Sequence, residues 1–292
     1  MGNFAIVSDS SCDIGLEAAE KNEIVIVPFE VTFDGKKYFK ENIDILIEEF
    51  YRTIRAEDVY PKTSLPSIQA YSDTFREVLE NGQDVLCFCL TSKFSGSYQS
   101  AYNAKELLEV DYPNRKIVVM DSQLCTTVQG ALVLEAARMR RDGLSLDEIV
   151  KKCEKMRTMS KVYVTFDSLS YLQKGGRIGK VGAVVGSLLS IKPVIVFMNG
   201  ELNPHSKIRG RKKAAQKCMS LINEDILDEK HKYIVTFMHS DEIGEITEIR
   251  DEMVNEHGYP NAGPVSYLGV TIGSHSGPGS VAIGYMIKYE YV

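Results

Sequence analysis

The 292-residue chain holds six cysteines but no CxxC pair, no HExxH and no Cys/His cluster at zinc spacing. No metal is expected. Cys12, Cys87, Cys89, Cys125, Cys153 and Cys218 are expected to be reduced, mostly buried thiols. GxGxxG is absent. The nearest P-loop lookalike, Lys174–Val181, lacks the first Gly and the final Ser/Thr that would meet phosphate and Mg²⁺, so no Walker-type ATP site and no cofactor are expected. GxSxG is also missing, because Gly273-Ser274-His275-Ser276-Gly277 carries His where the nucleophile would stand. No basic leader with an apolar core opens the chain, and Ile6 stands where myristoylation wants Ser or Thr. The longest apolar stretch, Val181 to Met198, is broken by Lys192 and Pro193. A cytoplasmic protein without a transmembrane segment is therefore expected. An excess of basic charge is lacking too: 34 Lys and Arg against 40 Asp and Glu give −6, which argues against nucleic acid as partner.

What is present is ordinary globular composition, 44% hydrophobic and 25% charged. The length suggests about two domains. Near-continuous apolar runs at Phe4–Val7, Ile24–Val27, Val85–Leu90 and Ile117–Met120 fit strands buried on both faces of a parallel sheet. Amphipathic segments at Ile43–Ile54, Ser67–Glu80, Ser97–Leu108 and Thr127–Arg140 fit the helices between them. Residues 1–158 are thus expected to form an α/β domain, and 159–292 an α+β domain packed on it. In the second part, strand Lys161–Phe166 precedes a small glycine-punctuated helix. Lys192–Met198 and Leu202–Ile208 flank a hairpin signal at Asn199-Gly200. A helix over Arg211–Leu227, a strand over Tyr233–Met238 and a helix over Ile243–His257 follow. Strands Val265–Ile272 and Val281–Tyr289 close the chain around a Gly-rich loop. Residues 205–217 carry six Lys and Arg and no acid, next to a strongly acidic stretch, which suits a solvated face or an acidic partner.

Small polar residues at strand ends are the candidate chemistry. Thr91–Ser97 follows a strand and opens a helix. Ser95 there can cap its own helix, or together with the Gly96 backbone hold an anion at the helix start. Ligands of open α/β sheets bind beyond the carboxyl ends of strands, where this loop lies. Pro61 and Pro66 stiffen a segment presenting Thr63 and Ser64, which can be a rigid connection or a fixed pair of hydroxyls. His275 sits among Gly and Pro residues, as a solvated or core histidine or as a donor to a carboxylate. Asp9-Ser10-Ser11 and Asp121-Ser122 read mainly as structural turn residues.

Taken together, these segments resemble the DegV family, the fatty-acid-binding subunits of bacterial fatty acid kinase. The resemblance spans essentially the whole chain through six ordered motifs: Val7–Asp13, Pro61–Ser67, Thr91–Ala101, Tyr171–Ile178, Lys192-Pro193 and His275–Gly279. Phe94 and Ser97 depart from it, standing where Leu and Thr are common. The resemblance implies a long-chain fatty acid bound between two domains. Thr63 and Ser95 would hold the carboxylate, with the Gly96 amide beside them and His275 nearby. It implies further that a separate ATP-binding kinase phosphorylates the carboxylate to an acyl phosphate, so that this chain is not catalytic by itself. Arg177 and Arg209 are then candidates for contacts to that kinase or to the transferred phosphate. Two other readings stand beside this one. The first is a hydrolase or acyltransferase using Ser95 as nucleophile and His275 as base. The second is a small-anion sensor without an acyl chain.

Overall fold

The structure, a computed structural model, describes residues 3–57, 59–184 and 190–292. A four-stranded parallel sheet has the order β2 (Ile24–Val27), β1 (Phe4–Asp9), β6 (Asp84–Cys89), β7 (Ile117–Asp121). These are the four apolar runs; both faces of the central β1 and β6 are covered, while the edge strand β2 leaves Val25 exposed. Alternation in β1 and β6 sorts the side chains. Ala5, Val7, Cys87 and Cys89 join a core with helices α3 (Ile68–Glu80) and α4 (Ser97–Asp111). Ile6, Leu86 and Phe88 face the main core, which includes helix α5 (Thr126–Arg141). Strand order reverses between β1 and β6, the switch point where open α/β sheets bind ligands.

A six-stranded sheet follows in the order β10 (Glu201–Arg209), β9 (Ile191–Met198), β8 (Lys161–Thr165), β13 (Val281–Ile287), β11 (Tyr233–His239), β12 (Ala262–Tyr267). It is antiparallel except for the β11/β12 pair. Helices α8 (Arg211–Ile226) and α9 (Ile243–Asn255) cover it. Helix α5 touches β1, β11 and β13, so it lies between the two sheets, with α6 (Leu146–Thr158) against it. That approach is close: a Cβ on Gly284 of β13 would collide with Val128. At the β9–β10 turn both Asn199 and Gly200 have positive φ, 52° and 80°, as a type I′ hairpin requires. Among the described residues the cysteines are free and buried.

The structure departs from the sequence reading in several elements. A small third sheet, β4 (Phe39–Lys40), β3 (Glu30–Thr32), β5 (Lys62–Ser64), contains the segment read as a proline-stiffened loop. Helix α2 starts at Ile47 and runs to Glu57, leaving Ile43 and Leu46 exposed before it. Residues 41–45 form a loop instead because Glu41 is drawn inward to Thr271 and Asp44 binds the Lys40 amide. The strand expected over Val265–Ile272 ends at Tyr267, and helix α10 (Val270–Ser276) begins just beyond it. There the amides of Gly269 and Thr271 are taken by the carboxylates of Asp13 and Glu41, not by a neighbouring strand. His275 is consequently on a helix, not in a loop. The expected glycine-punctuated helix is the short α7 (Ser170–Lys174) plus a 3-10 turn at Gly179–Val184, and its remainder lies outside the described residues. The basic run of 205–217 is partly neutralised: Arg211 and Lys212 pair with Glu245 and Glu248 of α9, and Lys217 with Glu224.

Candidate functional site

The site begins with Asp9, the last residue of β1. It is fully buried, which pushes its carboxyl pKa up, and it is held by four donors. Oδ2 accepts from the Leu90 amide and the Ser97 hydroxyl, each at 2.8 Å. Oδ1 accepts from Ser11 at 2.6 Å and Gln129 at 3.0 Å. This structural residue thereby fixes the 90–97 loop at the sheet's switch point. Ser95 is one residue earlier than a capping serine: the N-cap of α4 is Gly96, and Ser95 Oγ accepts the Ser97 amide at 3.1 Å. Its O–H remains available as a donor. Among the described residues the Gly96 amide donates to no protein acceptor.

Two elements bring the second group together. The β5 strand presents Thr63, while α10 presents His275, and Thr63 Oγ1 meets His275 Nε2 at 2.9 Å. The anchors of α10 are Glu41, which accepts from the Thr271 amide and hydroxyl, Asp13, which accepts from the Gly269 amide, and Tyr51, which donates to Leu268 O. Burial raises the pKa of both Asp13 and Glu41, and their proximity raises Asp13 further. On the far side of the imidazole lies Gly175, where any Cβ would collide with Nδ1, and that nitrogen is buried without a partner among the described residues. Burial, then the nearby Arg177 charge, lowers the His275 pKa to about 4, so the ring is neutral near pH 7. Arg177 binds Phe94 O through Nε at 3.0 Å and Gly175 O through Nη1 at 2.6 Å.

Thr63, Ser95, Arg177 and His275 line one cavity, of about 860 Å³ including its mouth. The rest of its wall is apolar and comes from both sheets: Val162, Val164 and Phe166 from one face at and after β8, Phe197 of β9, Leu202 of β10, and Leu90 after β6. The β9–β10 turn is tied to the loop after β6, with Thr91 Oγ1 donating to Gly200 O at 3.2 Å. Among the described residues, no carboxylate lines this cavity. Ser64 is in β5 opposite Glu30 and does not line it. Nor does Arg209, which is exposed on β10 opposite Ile191. No cluster able to hold a metal is found among the described residues. No helix among them is long and apolar enough to cross a membrane.

A family profile described as "Uncharacterised protein, DegV family" matches residues 3–288. The chain belongs to the DegV family. A DegV domain-containing protein of Caldanaerobacter subterraneus is 34% identical over 99% of this chain and 100% of its own. Among solved structures, a stearic acid-binding protein of Eubacterium ventriosum superposes with TM-score 0.93 at 35% identity, covering 99% of this chain and 100% of that one. DegV of Bacillus subtilis, described as a fatty acid binding protein, gives 0.87 at 31%, covering 99% and 100%.

Within this DegV-family chain, the sequence motifs found the polar end of the cavity but missed its apolar wall. Val162, Val164 and Phe166 alternate with Lys161, Tyr163 and Thr165, yet β8 is largely buried on both faces, so the alternation does not say that the apolar face lines a cavity instead of a packed core. Glu41 and Asp13 were also missed as anchors of α10, because nothing local marks their partners more than 200 residues away.

Proposed function

We propose that this chain binds a long-chain fatty acid and presents its carboxylate to a separate ATP-dependent kinase, which converts it to an acyl phosphate. One observation carries the reading: the Thr63–His275 pair and Ser95 share one cavity whose remaining wall is apolar and free of carboxylates among the described residues. The neutral imidazole, with Nε2–H, donates to Thr63 Oγ1. The Thr63 hydroxyl is then free to donate to the ligand, as are Ser95 O–H and the Gly96 amide. Hydrogen bonds to a charged group contribute about 1.5–3 kcal/mol each. Each buried methylene adds ~0.8 kcal/mol, so the tail supplies much of the affinity. The fatty acids named for the Eubacterium ventriosum and Bacillus subtilis relatives support the same ligand class. The nucleotide comes with the kinase, and the chain needs no cofactor or metal of its own. Arg177, beside the carboxylate end, faces the transferred phosphate, and Arg209 is a contact to the kinase.

The geometry weighs against a serine hydrolase. His275 Nε2 is engaged by Thr63 and not by Ser95, and among the described residues no carboxylate orients Nδ1. Titrating delipidated protein with palmitate and with hexadecanol tests the head group. Palmitate should bind at least tenfold more tightly. Equal binding would remove the carboxylate from the account. Acyl phosphate made from ATP by this chain alone would remove the kinase from it.

A further inference from the structure

Outside the Thr63–His275 pair lies a second space of about 910 Å³, bounded by Lys62, Thr63, Lys174, Arg177 and His275, with Tyr60 and Tyr171 at its rim. It shares Thr63, Arg177 and His275 with the apolar cavity, so the two meet where the carboxylate is placed. Three cationic residues line it. Lys62, Lys174 and Arg177 form no ion pair among the described residues, and no carboxylate lines the space. Elsewhere on the protein Arg211, Lys192, Lys180 and Lys217 are paired with acids. The ammonium of Lys174 rests 3.3 Å from the centroid of the Tyr60 ring, which in turn packs on Tyr171 at 4.6 Å. An aromatic shelf thus holds this cation at the rim without neutralising it. Unpaired like charges gathered in one concave space repel one another, and an anion of more than unit charge relieves that repulsion.

We infer that this cleft is the phosphoryl subsite: Lys62 and Lys174 receive the phosphoryl dianion of the acyl phosphate while the acyl chain stays in the apolar cavity. The inference rests on the fatty-acid reading of the adjoining site. A phosphoryl group joined to a carboxylate oxygen at Thr63 extends outward, and outward from Thr63 is this cleft. Thr63, Ser95 and His275 therefore recognise the carboxyl end, whereas Lys62 and Lys174 recognise only its phosphorylated form.

The test compares palmitate with the non-hydrolysable methylene analogue of palmitoyl phosphate, a β-ketophosphonate, by calorimetry on the delipidated full chain. In the double variant Lys62→Gln/Lys174→Gln, palmitate affinity should stay within about twofold, while β-ketophosphonate affinity falls about tenfold or more. Equal losses for both ligands, or no loss for either, would overturn the subsite. Inorganic phosphate should bind wild-type protein far more weakly than the β-ketophosphonate. If it binds as tightly, the cleft is a free-anion site and the inference fails. If wild-type protein binds no palmitate, the fatty-acid reading itself fails. Palmitate binding without discrimination by the lysine variant removes only the subsite.

Discussion

Replacing Thr63 by valine removes one oxygen and keeps the β-branched shape that suits strand β5. Among the described residues, the lost Oγ1 is the sole hydrogen-bond partner of the His275 ring, whose Nδ1 already has none. A buried imidazole with both nitrogens unpaired costs about 1–3 kcal/mol of stability. The chain has no tryptophan, so the loss is best read by circular dichroism, as a fall of a few degrees in Tm. The unpaired ring is present with and without ligand and cancels from the affinity. What remains is the hydrogen bond from the Thr63 hydroxyl to the carboxylate, about 1.5–3 kcal/mol, or a fatty-acid affinity roughly 10- to 150-fold weaker. Thr63→Ser restores the hydroxyl and should bind within a few-fold of wild type. A valine variant that binds palmitate as wild type does, or a serine variant as weak as valine, would refute this role for the hydroxyl.

Three further outcomes follow from the same geometry. Because the folded pKa of His275 is depressed from ~6.5 to about 4, its contribution to stability is intact above ~6.5 and is lost as pH falls toward 4. Buried Asp9, Asp13 and Glu41, whose pKa values are raised, act in the opposite sense, so wild type must be compared with His275→Gln. Between pH 7 and 5, denaturant unfolding should show wild type losing about 2 kcal/mol more than the variant, and parallel pH curves would contradict the buried neutral ring. Gly175→Ala drives a methyl into His275 Nδ1, so the ring must swing off Thr63. The variant should lose the ring's hydrogen-bonded NMR signature and weaken palmitate binding about tenfold, whereas an unperturbed signature would show the contact to be loose. Ala282→Phe fills part of the apolar wall, displacing tail methylenes at ~0.8 kcal/mol each. The preferred acyl chain should become shorter, and unchanged preference would place the tail elsewhere.

The four parallel strands were legible because both faces of the central β1 and β6 are buried and the edge strands β2 and β7 are still largely apolar, which leaves continuous apolar runs with no competing pattern. The hairpin at Asn199-Gly200 was legible from its turn residues alone, since few other residues accept two successive positive φ values. Helix α10 was not. Its segment is apolar and glycine-bounded like a strand, and the deciding hydrogen bonds come from Asp13 and Glu41, far away in sequence. Likewise Thr63, Ser95 and His275 were each visible as polar residues in constrained segments, but their convergence on one cavity is a property of the packed sheets. Ser64 neighbours Thr63 in sequence, yet strand alternation turns it to the other face of β5. The basic run read as a solvated face or as a site for an acidic partner because sequence shows charges without partners, and α9 supplies two of them.

The most direct test of the central claim is the mass of what the protein carries. Denaturing extraction of the purified full chain, followed by mass spectrometry, should release long-chain fatty acid at about one molecule per chain. After delipidation, the protein should rebind palmitate to the same level. Recovery of no fatty acid, together with no uptake on addition, would contradict the account.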